Sequence, residues 1–389
     1  MLIPKTPIFL PNAQDGHLES LGFRFPAVLM DTRHSEWRPK VAEKLRAISD
    51  VFIIDPSTDI LLFKDASEGE NFKRLGYPNE VNAEKVYSDP GFRKEKIVQI
   101  AVQDQFRKQA SVMIAPYFFC EDTDDLKFGV NISMLSETLR YLQETKQEIP
   151  VFAMLKLGSS ILNRPTVINY IIDRYKEDFR DSLDGYIVVI NDLDCESADQ
   201  DSLLEFARLA FRLSEGSVVF ANKIGPFGEV LCAVGASGFG SGLAAGEMFV
   251  VKNLQSTPKG WSKRIEKTYV PEIFDYLNDQ DLKKIKYSCN CPACGGSYPK
   301  EVAAKKLHFL HTRLSSVQSL QNLTKEKRIS VLSKRVDDAI QLTSKLRSRA
   351  IGVKTAYLPR WKAVLDLAKT WEFPGDDDEL KTLLSELDS

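Results

Sequence analysis

Cys289, Cys291 and Cys294 crowd into the eight residues CNCPACGG, while the three other cysteines of the chain, Cys120, Cys195 and Cys232, are scattered. Three thiolates in one tight turn supply three corners of a tetrahedral zinc site. Pro292 stiffens that turn, and Gly295 and Gly296 relieve the backbone after it. A fourth ligand is on offer just downstream in LHFLHTRL, where His308 and His311 stand three apart and so share roughly one face of a helix. A Cys3His set is closed, with no position left for water, so the expected Zn2+ is structural rather than catalytic. Six cysteines in 389 residues make no disulfide scaffold. The N-terminal MLIPKTPIFLPN lacks the basic region and long apolar core of a secretory signal, which predicts a reducing, cytoplasmic location where clustered thiols bind metal.

A second set of reactive groups ends short apolar runs: Asp31 in VLMDTRH, Asp55 in FIIDPSTD, Lys156 in MLKLG, Asp192 and Asp194 in VINDLD, and Lys223 in ANKIG. Aspartate is a preferred helix N-cap, so any one of these is equally well explained by capping the next helix. Several carboxylates converging on one face are better explained by chemistry on a bound ligand.

The elements that must position them follow from periodicity. Eight apolar runs, at 6–12, 26–31, 50–55, 111–119, 150–157, 185–192, 217–223 and 231–240, are rich in Val, Ile and Phe and mostly do not alternate with polar residues. That pattern suits strands of a parallel sheet buried on both faces. Stretches of helical spacing separate them, such as VNISMLSETLRYLQETKQ and DQDSLLEFARLAFRLSEG, the latter stopping at Gly216. Eight strands alternating with helices predict a (β/α)8, TIM-like barrel, with a doubly wound open sheet as the alternative. The expected organisation is a barrel over 1–285 with an insertion near 64–100, a zinc-binding subdomain over 286–320, and a basic helical region with an acidic tail over 321–389. The strand-end residues then stand at the barrel's C-terminal face.

Bulk properties exclude some partners. The net charge of −2 carries no overall field for a nucleic acid, and no apolar run reaches the ~20 residues that span a membrane. Charge is nevertheless segregated: Thr312 to Trp371 holds 13 Lys or Arg against 4 Asp or Glu, and Glu372 to Ser389 holds 7 acids against one Lys. A charge run is usually a solvated face, but a basic helical stretch also suits phosphate contact. Arg347, Arg349, Lys354, Arg360 and Lys362 are the candidates, with Trp361 as a surface on which a base could stack.

The zinc motif, in this order with TPIFLPN, VLMDTRH and FIIDPSTD, resembles the tRNA-guanine transglycosylase family over roughly residues 4–320. Members of that family are (β/α)8 barrels with a C-x-C-x2-C zinc site completed by a distant His. The resemblance implies Cys289, Cys291, Cys294 and His311 as ligands. It also implies base exchange: a carboxylate nucleophile displaces guanine from a polynucleotide, and a 7-deazaguanine takes its place. FIIDPSTD falls where the family has D-S-G-G-F-Q, which makes Asp55 the leading catalytic residue. GLAAGE resembles the family's G-G-L-A-V-G-E and points to Gly242 and Leu243 as base contacts. Departures are as informative. Gly240 stands where the family has its strand-eight aspartate, and MIAPYFF lacks the aspartate that reads guanine, leaving Asp31, Asp192 and Glu247 as candidates for the second carboxylate. Such divergence resembles the DNA-guanine transglycosylase branch and favours DNA over tRNA as substrate, with further proteins of a modification system as possible partners. Two alternatives stand: a non-catalytic, zinc-containing subunit of such an enzyme, and an unrelated zinc-stabilised barrel such as a hydrolase.

Overall fold

A computed structural model describes residues 6–13, 18–63, 73–78, 81, 83–243, 247–255, 267–350 and 352–371. Each of the eight apolar runs contains a strand: β1 (Ile8–Pro11), β2 (Phe25–Asp31), β3 (Ser49–Asp55), β4 (Met113–Ile114), β5 (Val151–Gly158), β6 (Gly185–Asn191), β7 (Val218–Asn222) and β8 (Gly238–Ser241). Six of them form one curled parallel sheet in the order β1-β8-β7-β6-β5-β4, a half-barrel, and β2 and β3 form a second parallel pair. Single parallel bridges, Asn12 to Leu29 and Ile53 to Val112, link that pair to β1 on one side and to β4 on the other.

Side-chain alternation sorts the core into two layers, because successive residues of a strand face opposite ways. Ile8, Leu10, Ala27, Leu29, Val51, Ile53, Val112, Ile114, Phe152, Met154, Ile187, Val189, Val218 and Phe220 form one apolar cluster drawn from seven strands. Their neighbours in sequence, including Phe9, Val28, Phe52, Met113, Ala153, Val188, Val219 and Phe239, face the helices. Gly238 and Gly240 are β8's positions on the first side. A Cβ on Gly238 would lie 2.6 Å from the Ile8 carbonyl oxygen, and one on Gly240 would lie 2.6 Å from Asn222 Oδ1. Strand β8 passes that close to β1 and β7 only because both residues are glycine.

The principal helices are α1 (Thr32–Trp37), α2 (Pro39–Ala47), α3 (Gln99–Arg107), α4 (Leu126–Glu144), α5 (Pro165–Phe179), α6 (Gln200–Ser214), α7 (Gly228–Val234), α8 (Asp279–Ile285), α9 (Val302–Gln318), α10 (Lys325–Leu346) and α11 (Leu358–Ala368). Asp125 and Asp199 cap α4 and α6 by accepting from the Lys127 and Ser202 amides. Helix α6 stops at Ser214, and Gly216 takes a φ of 88°.

One expectation needs correction. The run at 231–240 is not one strand: LCAV ends α7, and β8 begins only at Gly238. A short, wholly buried apolar run does not tell helix from strand. The stretch expected to be an insertion near 64–100 lies between β3 and β4 and is, from Ala83 on, helical turns leading into α3; residues 64–72, 79, 80 and 82 of it lie outside the described residues. In the C-terminal helices, Ile329, Leu332, Val336, Trp361, Val364 and Leu365 belong to the same core as the outward faces of the strands. The acidic tail, 372–389, lies outside the described residues. Among the described residues no helix is long and apolar enough to cross a membrane.

Candidate functional site

Asp31 and Asp55 are direct register partners at the ends of β2 and β3. Parallel pairing therefore delivers two carboxyl groups side by side, and Ser57 ties them together: its hydroxyl donates to Asp31 Oδ2 at 2.9 Å and its amide to Asp55 Oδ1 at 2.8 Å. Ser57 makes this double contact from a left-handed backbone, φ 49°.

Their environments differ. Asp31 caps α1 by accepting from the Arg33 amide at 2.8 Å, and it also takes the Arg33 side chain through Nε at 3.0 Å and Nη2 at 2.7 Å. Burial alone would raise its pKa, but the charge and hydrogen bonds of Arg33 win and hold it well below the usual carboxylate range. Asp55 is pushed upward, chiefly by burial; Lys156 opposes the shift, and the neighbouring Asp31 and Asp59 charges add to it. So one carboxyl stays ionised while its neighbour holds a proton more readily, the division of labour expected of an acid–base pair.

Beyond Asp55 runs a chain of polar contacts. The Tyr117 hydroxyl donates to Asp55 Oδ1 at 2.7 Å, Lys156 Nζ donates to the Tyr117 oxygen at 3.1 Å, and the same ammonium pairs with Asp59 Oδ2 at 2.7 Å. Lys156 comes from β5, lies 4.7 Å from the Phe249 ring centroid and 4.8 Å from that of Tyr117, and is nearly buried. The other oxygen of Asp59, Oδ1, is buried with no hydrogen-bond partner. An orphaned carboxylate oxygen here is suited to an N–H group of a ligand.

On the opposite side, Asn12 Nδ2 donates to Asn222 Oδ1 at 2.8 Å, bridging β1 and β7 across Gly240. The Asn222 amide occupies the space into which a side chain at Gly240 would grow. Lys223 and Asp192 follow β7 and β6 in left-handed conformations, φ 61° and 56°. Asp192 is exposed, and its amide donates to the Phe249 carbonyl at 2.7 Å. Glu247 is engaged elsewhere: its carboxylate pairs with Arg313 Nη2 at 3.1 Å, in a buried cluster with Glu229 and Arg335. Leu243 packs into the core. Two surface clefts, about 320 Å³ between α5 and α6 and about 440 Å³ beside Pro271 and Arg335, lie away from the strand ends. The polar cluster is what marks this face.

The thiol loop is a separate centre. Cys289, Cys291, Cys294 and His308 place one ligand atom each within 4.8 Å of one another. Backbone bonds close the loop, with the Cys294 and Gly295 amides donating to the Cys291 carbonyl at 2.9 and 3.1 Å. Gly295 and Gly296 both have positive φ, 56° and 94°. His308 Nδ1 lies 3.5 and 3.3 Å from the Cys291 and Cys294 sulfurs, and Nε2 lies 2.7 Å from the Tyr269 carbonyl oxygen. That carbonyl accepts a hydrogen bond from Nε2–H, which leaves the Nδ1 lone pair aimed at the sulfurs, the tautomer a metal needs. Three thiols and one such imidazole fit a tetrahedral metal of the zinc kind. The expected ligand His311 is a correction: it faces Phe23, ring centroids 4.7 Å apart. Residues three apart on a helix are offset by about 60°, which suffices to turn one imidazole to the sulfurs and the other away.

The proposed phosphate surface is largely committed within the fold. Trp361 is fully buried, donates from Nε1 to the Cys195 carbonyl at 3.0 Å, and packs on Phe227, Phe274 and Tyr357. It cannot stack on a base. Arg360 donates to the Glu196 carbonyl, Lys354 pairs with Glu196, and Lys362 pairs with Asp366 and Asp337. Arg347 and Arg349 remain exposed. Sequence reasoning missed Tyr117, Asp59 and Arg33. Asp59 and Arg33 follow their strand-end aspartates by four and two residues, a proximity that could have signalled them; Tyr117, inside an apolar run, carried no signal. No protein-family model matches the chain, and no curated protein matches it.

Proposed function

We propose that β1 to β8 close into one (β/α)8 barrel and that its carboxyl pair exchanges guanine for a 7-deazaguanine in a polynucleotide, with DNA favoured over tRNA. Closure is supported by the two bridges flanking β2 and β3 and by the single apolar cluster drawn from strands all around the ring. The function rests on one observation, the adjacent Asp31 and Asp55 with opposite shifts in acidity. The resemblance to the tRNA-guanine transglycosylase family supplies the reaction class. Cys289, Cys291, Cys294 and His308 would hold one structural Zn2+, which cross-links the loop to α9 and supplies no catalytic water. A thiolate-bound metal suits a reducing, cytoplasmic setting.

Asp31, ionised at neutral pH, bonds through a carboxylate oxygen to the anomeric carbon as the bond from that carbon to guanine N9 breaks. Asp55 gives its proton to the leaving base. In the return half, Asp55 takes the N9 proton of the incoming base, whose nitrogen bonds to the anomeric carbon as the ester to Asp31 breaks. Two displacements replace one difficult substitution, as in retaining glycosidases. Tyr117, Lys156 and Asp59 hold Asp55 in place. The target nucleotide must leave its stack to reach this face.

The test is incorporation of labelled guanine into DNA and into unmodified tRNA, with trapping of a covalent protein–nucleic acid adduct that Asp31→Asn abolishes. A second reading has its own support: Gly240 leaves β8 without a carboxylate, and Asp31 is tightly held by Arg33. A non-catalytic subunit would show no exchange on either substrate and would bind a second protein tightly.

A further inference from the structure

With Trp361 buried, the tryptophan that stands open to solvent among the described residues is Trp37, 53% exposed at the end of α1. An indole so exposed loses the burial that usually holds a tryptophan. It is also not loosely placed. The Arg38 guanidinium lies over its ring at 4.3 Å from the centroid, and the His34 ring meets it edge-on, centroids 6.2 Å apart. His34 follows Arg33, whose side chain grips Asp31 through Nε at 3.0 Å and Nη2 at 2.7 Å. One short helix therefore runs from the ionised carboxylate, through Arg33 and His34, to an aromatic face backed by a cation.

Charge over α1 and α2 is favourable to an anion. Residues 32–46 hold Arg33, Arg38, Lys40, Lys44 and Arg46 against Glu36 and Glu43. Glu36 is neutralised from a neighbouring helix by Arg107 at 2.8 Å and Lys108 at 3.6 Å. Arg38 and Lys40 enter no ion pair among the described residues.

We infer that Trp37 and Arg38 form a stacking and phosphate platform for the single-stranded nucleotides flanking the one held at Asp31 and Asp55. This rests on the base-exchange reading and adds the strand's path: along the β2 side of the barrel mouth, not along the C-terminal helices. Stacking on an indole tolerates any base, while Arg38 adds a cation against the backbone. An oligonucleotide distorted or unpaired at one position meets both.

The experiment measures fluorescence anisotropy of a labelled single-stranded DNA 12-mer with the full chain, at several salt concentrations. Trp37→Ala is expected to weaken binding roughly tenfold to a hundredfold, the range of one base–aromatic stack. Trp37→Phe should recover part of the loss. Arg38→Ala should weaken binding and flatten the salt dependence by about 0.7 in log–log slope, one phosphate contact on a single strand. The inference is overturned if both alanine variants bind as the parent does, or if an Arg347→Ala/Arg349→Ala double variant alone loses binding. Should the parent chain bind neither single-stranded DNA nor RNA at low salt, the base-exchange reading falls together with this one.

Discussion

Asp31 and Asp55 are neighbours by register, yet substitution should affect them in opposite directions. Arg33 depresses the Asp31 pKa below its unfolded value. Its stabilisation is therefore present at neutral pH and is lost as pH falls through the folded-state constant. Asp31→Asn should cost about 2–3 kcal/mol at pH 7, the scale of hydrogen bonds to a charged group, and denaturant titrations should show that gap narrowing on acidification. Asp55 is raised, so the folded state favours its protonated form, and its contribution fades as pH climbs through the folded-state value. Asn at 55 still accepts from Tyr117 and the Ser57 amide but carries no charge. Asp55→Asn should melt at or above the parent temperature at pH 8 while abolishing exchange. A variant that melts much lower, or that retains exchange, would remove Asp55 from the catalytic role.

Elements decide which residues were readable in advance. The eight runs announced their strands because parallel strands buried on both faces need unbroken apolar sequence. The four-residue LCAV did not announce α7, because burial on every side erases periodicity. In the metal centre, the thiols were legible from spacing alone, but the choice between His308 and His311 depends on the rotation of α9 relative to the loop, which only packing sets. His308→Ala should therefore release the bound metal, and His311→Ala should keep one equivalent by elemental analysis; the reverse outcome would mean that α9 is turned. The same limit applied to Trp361. Its basic flanks, Arg360 and Lys362, suggested a surface, while its own ring anchors α11 beneath Phe227 and Phe274. At β8, Gly240→Ala would drive a Cβ to 2.6 Å from Asn222 Oδ1 and 2.9 Å from the Leu10 carbonyl oxygen. Overpacking of this kind costs about 1–3 kcal/mol, so chemical unfolding should expose the loss and no carboxylate installed there should restore a missing nucleophile without rebuilding Asn222.

The molecule as a whole is joined through one buried cation. Arg313 lies on α9, three residues beyond Leu310 and five beyond the metal-facing His308, and has no exposed surface. Its Nη1 reaches Glu229 on α7 at 3.3 Å and the Tyr269 hydroxyl at 3.1 Å; its Nη2 reaches Glu247 at 3.1 Å. Arg335 of α10 completes the set at 3.0 Å from Glu229. Tyr269 also offers its carbonyl to His308, so the thiol loop, the end of β8 and the C-terminal helices share one polar knot. Removing the cation takes Glu247's ion-pair partner and leaves Glu229 with Arg335 and Ser316, and a buried pair that loses one partner costs about 3–5 kcal/mol. Arg313→Met fills the volume but not the charge, so it should lower stability by that amount at pH 8. Glu247, whose carboxyl burial already pushes upward, can escape the penalty by taking up a proton, and the deficit should therefore shrink as pH is lowered towards 5. Denaturant midpoints of parent and variant at the two pH values measure it directly. A deficit that stays constant with pH would mean that the loss comes from packing against Tyr269 and Phe309, and that the knot does not couple α9 to α7 through charge.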